Sequence, residues 1–127
     1  MTDACTIFIG DVDPKMLLTI NEQNKGGQWV RKRAVDYWHG RIRYHRAFHA
    51  TPVADRAHIT IGFRFPTNHL RDTGNLYPTA KAIVDALVRF WHILPGDDDR
   101  YLIGPDLRRT WPNGPHEVRI DIEEVTT

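Results

Sequence analysis

The sequence is poor in cysteine, in long apolar runs and in net charge. A single cysteine among 127 residues, Cys5, has no internal disulfide partner, which excludes a disulfide-stapled scaffold and fits a reducing compartment. No apolar run approaches the roughly 20 residues that cross a bilayer, so no membrane partner is expected. The opening MTDACTIFIG lacks the basic start and small-residue cleavage site of a secretion signal, and the expected location is the cytoplasm. Repeats, low-complexity tracts and linkers are also missing. Against these absences, 41% of the residues are apolar and nine are glycine, an ordinary content for a globular chain. The length suits one domain spanning residues 1–127.

Seventeen Lys+Arg against sixteen Asp+Glu leave a formal charge of +1, but the charges are segregated. Residues 25–49 hold Lys25, Arg31, Lys32, Arg33, Arg41, Arg43 and Arg46 against one acid, Asp36. That segment carries +6 and the remainder −5. Such asymmetry says more about partners than the total does.

Residues 5–9 (CTIFI) are expected to form a short buried strand ended by Gly10 and the turn signals from Asp11 to Pro14. Val30, Ala34, Trp38 and Ile42 recur every four residues and predict a helix over about 28–48, with a break allowed at Gly40. From Arg56 to Phe65, Ala57, Ile59, Ile61 and Phe63 alternate with His58, Thr60, Gly62 and Arg64, the pattern of a half-buried strand. Ile83, Leu87, Phe90 and Leu94 stripe a second helix over about 78–92, with Pro78 in its first turn. Lys81, Asp85, Arg89 and His92 fall on its narrow polar face. Two further strands are expected at about 100–104 and 116–124, paired as a long-looped hairpin. The order β-α-β-α-β-β predicts a single two-layer α+β domain, a mixed sheet packed by helices.

Two polar clusters bear on chemistry. In the loop before the second helix, Asp72 or Asn75 can serve as a cap. Lys81 opposes the helix dipole and precedes Asp85 in the poorer i,i+4 orientation, which makes sense where an anion such as phosphate shares the site. Asp97, Asp98 and Asp99 suit a solvated turn, but also a Mg²⁺ site, because that ion keeps several waters and needs only one or two carboxylates. A carboxylate loop, a helical lysine and a second acidic turn together form a set that cleaves phosphodiesters. His45 and His49 have chelating i,i+4 spacing, yet no Cys or acid pattern completes a zinc site. Cys5 suits a small core residue.

The run 71–87 (RDTGNLYPTAKAIVDAL), followed by 94–99 (LPGDDD) and 103–108 (IGPDLR), resembles the RusA-like Holliday junction resolvases, with the closest likeness to forms encoded by phages of actinobacteria. The resemblance implies an α+β, homodimeric, Mg²⁺-dependent endodeoxyribonuclease that cuts branched DNA, with Mn²⁺ able to substitute. It would work in the cytoplasm of a bacterial or phage-infected cell. Asp72 matches the first carboxylate of the family's D-x-D-N motif and Asn75 its Asn. Lys81 matches the catalytic lysine of the helix, after a three-residue insertion. Asp98 matches the carboxylate that follows the helix, with Asp97 its neighbouring acid; three consecutive acids leave open which one faces the metal. The implied catalytic set is Asp72, Lys81 and Asp98, and the implied metal ligands are Asp72, Asp97 and Asp98. Gly74 departs from the motif, standing where the second Asp would be. The alternative is therefore a branched-DNA-binding protein with impaired cleavage.

The cationic helix fits the same picture. Arg31, Lys32, Arg33, Arg41 and Arg43, with Arg71 and Asn75 beside the carboxylate loop, are the expected DNA contacts, positioning the duplex through its phosphates. Trp29, Tyr37, Trp38 and Tyr44 on that helix are expected as core or dimer contacts rather than base stackers.

Overall fold

The computed structural model describes residues 4–20, 27–46, 54–69 and 72–125. Its elements run β1 (Ala4–Ile9), α1 (Gly27–Arg46), β2 (Ala57–Arg64), α2 (Tyr77–Trp91), β3 (Leu102–Arg109) and β4 (Glu117–Glu124), with short 3-10 turns at Pro14–Met16 and Thr73–Leu76. This is the predicted α+β order. Four strands form one mixed sheet in the order β1-β4-β2-β3, and both helices pack on one of its faces.

The alternation read from the sequence decides which face is covered. Ile7 and Ile9 of β1, Ile59, Ile61 and Phe63 of β2, and Val118, Ile120 and Ile122 of β4 all point into the core. Trp38 and Ile42 of α1 meet them, together with Ala80, Ile83, Val84, Leu87 and Trp91 of α2, and Ala34 is buried on the same helix as the first two. Burial of this apolar surface, at roughly 25 cal/mol per Å², drives the assembly. The buried indoles also have polar partners. Trp38 Nε1 donates to Met16 O and Trp91 Nε1 to Ile42 O, each at 2.8 Å.

Helix α1 runs unbroken through Gly40. The flexibility cost of glycine, about 1 kcal/mol, is outweighed by the Ala34–Trp38–Ile42 stripe anchored on both sides of it.

The expected hairpin between the last two strands does not form. β3 pairs in parallel with β2, while β4 inserts between β1 and β2, antiparallel to both. The connecting loop explains why. Thr110 N donates to Phe63 O and Gly114 N to Phe65 O, so the chain passes over the end of β2 before β4 begins. Edge position also suits β3 chemically: Pro105 has no N–H to give an interior ladder. An extra residue bulges β3 between the pairs His58–Ile103 and Thr60–Asp106. Gly104 fills it with φ of +104°, where a Cβ would lie 2.6 Å from Ile59 O. Because β2 and β3 run parallel, the crossover puts the loop before α2 at the C-terminal end of β2 and the loop after α2 at the N-terminal end of β3.

Candidate functional site

Helix α2 carries Lys81 and Asp85 one turn apart on its outer face. The helix stops at His92, which adopts a left-handed conformation (φ 53°), and buried Ile93 and Leu94 turn the chain back along it. Asp97 is thereby returned to the lysine. Lys81 Nζ donates to Asp97 Oδ2 at 2.6 Å and to Asp85 Oδ1 at 3.0 Å. The anion that the misfit lysine implied is thus present within the chain. Hydrogen bonding to Asp97 raises the Lys81 ammonium's pKa, so it remains charged. The two acids respond in opposite directions. The Lys81 hydrogen bond draws the Asp97 carboxyl down, whereas burial pushes that of Asp85 up. The shorter bond agrees that Asp97 is the principal counter-ion.

Asp98 faces elsewhere. Its carboxylate receives Arg100 Nε at 3.0 Å and Nη2 at 2.9 Å, as well as the Arg100 backbone N–H at 3.0 Å. Held by that guanidinium, its pKa is lowered to about 2. The residue acts as the knot of its own turn, and its carbonyl accepts from Tyr101 N and Leu102 N.

Asp72 also organises a turn. Its Oδ1 accepts the Gly74 N–H at 3.0 Å, capping the 3-10 turn Thr73–Leu76. The longer helix is capped by neither expected residue: its N-cap position is Leu76, without a side-chain cap bond. A Cβ at Gly74 would lie 3.2 Å from Asp72 Oδ1, so the glycine keeps room for this tight turn.

Two hollows lie against the start of α2. One, of about 270 Å³, takes in Lys81, Asp85, Arg31, Tyr77 and the apolar side chains of Leu18 and Ile20. The other, of about 380 Å³, takes in Asp72, Asn75, Phe65 and His116 with Leu17 and Thr19. Residues 17–20 supply their side chains alternately to the two, so this segment runs between them. It is latched to the helix by fully buried Thr79, whose Oγ1 donates to Leu18 O at 2.8 Å. Asp72 with Asn75, and Lys81 with Asp85 and Asp97, are therefore two neighbouring groups.

Among the described residues no three His, Cys, Asp or Glu side chains converge as a metal cluster. A cation shared by Asp72, Asp97 and Asp98 together does not fit this arrangement. The pair Asp85 and Asp97 fits better, being two hard-oxygen donors from different elements that meet at one point. Asp85 is the residue of this pair that the sequence reading left out of the candidate set. Its signal was the i,i+4 spacing from Lys81, taken there only as a helix pair.

On the cationic helix, Arg31 and Arg33 are exposed and Arg31 opens onto the Lys81 hollow. Lys32 pairs with Asp36 at 3.0 Å, and Arg43 lies 5.0 Å from the Phe90 ring centre. Arg41 is differently employed: Nη2 donates to Gly10 O at 2.5 Å and Nη1 to Tyr37 Oη at 3.0 Å, tying α1 to the end of β1. Trp38 is core, as expected, while Trp29 is 76% exposed. Lys25, His49 and Arg71 lie outside the described residues, as does the side chain of Arg46.

Compared with family models and with curated proteins, the sequence finds no match.

Proposed function

We propose that the protein is a metal-dependent endodeoxyribonuclease of the RusA-like kind, resolving Holliday junctions or other branched DNA as a homodimer. The observation that carries the reading is the pairing of Lys81 with Asp97 and Asp85, 2.6 and 3.0 Å away, with Lys81 and Asp85 lining a hollow that Arg31 of the cationic helix also lines.

Each group has a role that follows from its chemistry. Arg31, Arg33 and their neighbours hold duplex phosphates without reading sequence. Lys81 offers its ammonium to a phosphate oxygen, and meeting that oxygen releases Asp97 and Asp85. These two carboxylates, with Asp72 the further candidate from the adjoining hollow, are the oxygen donors for Mg²⁺, or for Mn²⁺ in its place. When bound, the metal supplies a water of lowered pKa and neutralises charge developing on the phosphate. Two sites in a dimer would nick opposite strands. A nuclease of this kind works in the cytoplasm of a bacterial or phage-infected cell.

The test is a synthetic four-way junction incubated with Mg²⁺ and resolved on denaturing gels. Paired nicks are expected, with Lys81→Ala and Asp97→Asn each lowering the rate at least a hundredfold while junction binding survives. Asp72→Asn decides whether the second hollow belongs to the same site. A second reading is favoured by Gly74, which lacks the motif's second carboxylate, and by the engagement of Asp98 with Arg100: a branched-DNA-binding protein without cleavage. Tight junction binding with no nick under Mg²⁺ or Mn²⁺ would establish that reading and overturn the first.

A further inference from the structure

Arg109, at the end of β3, is built into a stack. Its guanidinium carbon lies 5.2 Å from the Phe65 ring centre and 4.1 Å from that of Trp111. Nη1 donates to His69 O at 2.7 Å, and Nη2 donates to Thr67 O and to Asn113 Oδ1. Asn113 in turn donates from Nδ2 to Asn68 Oδ1. One cation thereby clamps the exit of β2, which leads to Asp72, onto the loop that leads to β4. Phe65, the inner ring of the stack, is itself a wall of the Asp72 hollow.

Trp111 is the outer ring, and it is 63% exposed. Indoles contribute most through burial, and this one forgoes much of it while the Arg109 guanidinium holds its plane. Trp29 is exposed too, but among the described residues no cation or ring partner fixes its plane. In Trp111 the guanidinium takes one side and leaves much of the residue to solvent. A flat, electron-rich surface held rigid beside a cationic group suits a flat, aromatic, anion-bearing partner. That combination is a nucleotide, whose base stacks while its phosphate meets positive charge.

We propose that Trp111 is the stacking plane for an unpaired nucleobase, with Arg109 as its positioning residue. The proposal rests on the DNA reading above and deepens it, since paired bases inside a duplex offer no free face. Unpaired bases come from a branch point or from a single strand, and the two sources are separable.

The experiment measures binding in EDTA, so that cleavage plays no part, to three labelled DNAs: a four-way junction, a linear duplex of the same arm sequence and a single strand. The junction carries 2-aminopurine at the branch point. Trp111→Ala should weaken junction binding about tenfold and remove the stacking-induced change in 2-aminopurine emission. Duplex affinity should stay unchanged, and Trp111→Phe should remain within about threefold of the parent. Thermal unfolding of both variants confirms that the fold is intact. If the single strand binds as well as the junction and shares the loss, the source of the base is any unpaired strand; if the junction alone responds, it is the branch point. Equal weakening on duplex and junction, or none on either, would overturn the inference while leaving the nuclease reading standing. A parent protein that binds none of the three DNAs would overturn both.

Discussion

Asp97 and Asp98 are adjacent in the chain and indistinguishable in the sequence, yet their partners separate them. Asp97 answers to a lysine sixteen residues back, and Asp98 to an arginine two residues ahead. Three acids in a row announce a charged turn, but the return angle after His92 decides which acid meets Lys81, and nothing local encodes that angle. The Asp98–Arg100 knot is local and was legible in principle, since an Asp-x-Arg turn needs no distant contact. It gives a prediction with a definite sign. A carboxyl with a depressed folded-state pKa contributes stability above the ordinary carboxylate range of about 4, lost as pH falls through the depressed value. Carboxyl ¹³C titration should therefore show Asp98 ionised down to about pH 2, and Arg100→Ala should return its midpoint toward about 4. Because both side chains are largely exposed and screened by solvent, the loss of stability at neutral pH on that substitution should be small. A midpoint left near 2 in the variant would mean that the backbone N–H, rather than the guanidinium, holds the charge.

Among the elements, the strands and helices were legible because each buries one face, and burial imposes period 2 or period 3.6 on the sequence. Their pairing was not. The alternation in β4 fits a hairpin strand and an interior strand equally well, and only the loop crossing over Phe63 and Phe65 decides between them. Equally unreadable was the placement of residues 17–20, a short apolar stretch with no helix or strand period, whose backbone Thr79 pins to α2. That hydroxyl is the feature to test at this scale. Thr79→Val keeps the shape but strands the Leu18 carbonyl, and should cost about 1–3 kcal/mol in urea unfolding. Loss of the latch should also change the partition between the two hollows, read as altered amide exchange at Leu18 and Thr19. Unchanged stability would show that the carbonyl finds another donor.

Over the whole molecule, the segregated charge becomes a surface with a division of labour. Arg31 and Arg33 project from α1 toward solvent, whereas Arg41 is committed to the end of β1. In the sequence all three share one helix and one charge, and only the structure tells an exposed arginine from a brace. Arg31→Ala and Arg33→Ala should each weaken duplex binding and reduce its salt dependence by about one counter-ion, with stability intact. Arg41→Ala should do the reverse, lowering the melting temperature with little change in the salt slope. Titration of binding against potassium chloride distinguishes the two classes directly. The interior placement of β4 has a consequence of another kind, for biosynthesis. Strand β1 emerges first from the ribosome, but its sheet neighbour, Glu117–Glu124, emerges last of the strands. Until then, among the described strands, β1 has no partner and β2 lacks one of its two neighbours. A nascent or prematurely terminated chain therefore cannot complete the sheet on which α2 rests. Helix α2 gains its full supporting sheet only once Glu117–Glu124 has been synthesised.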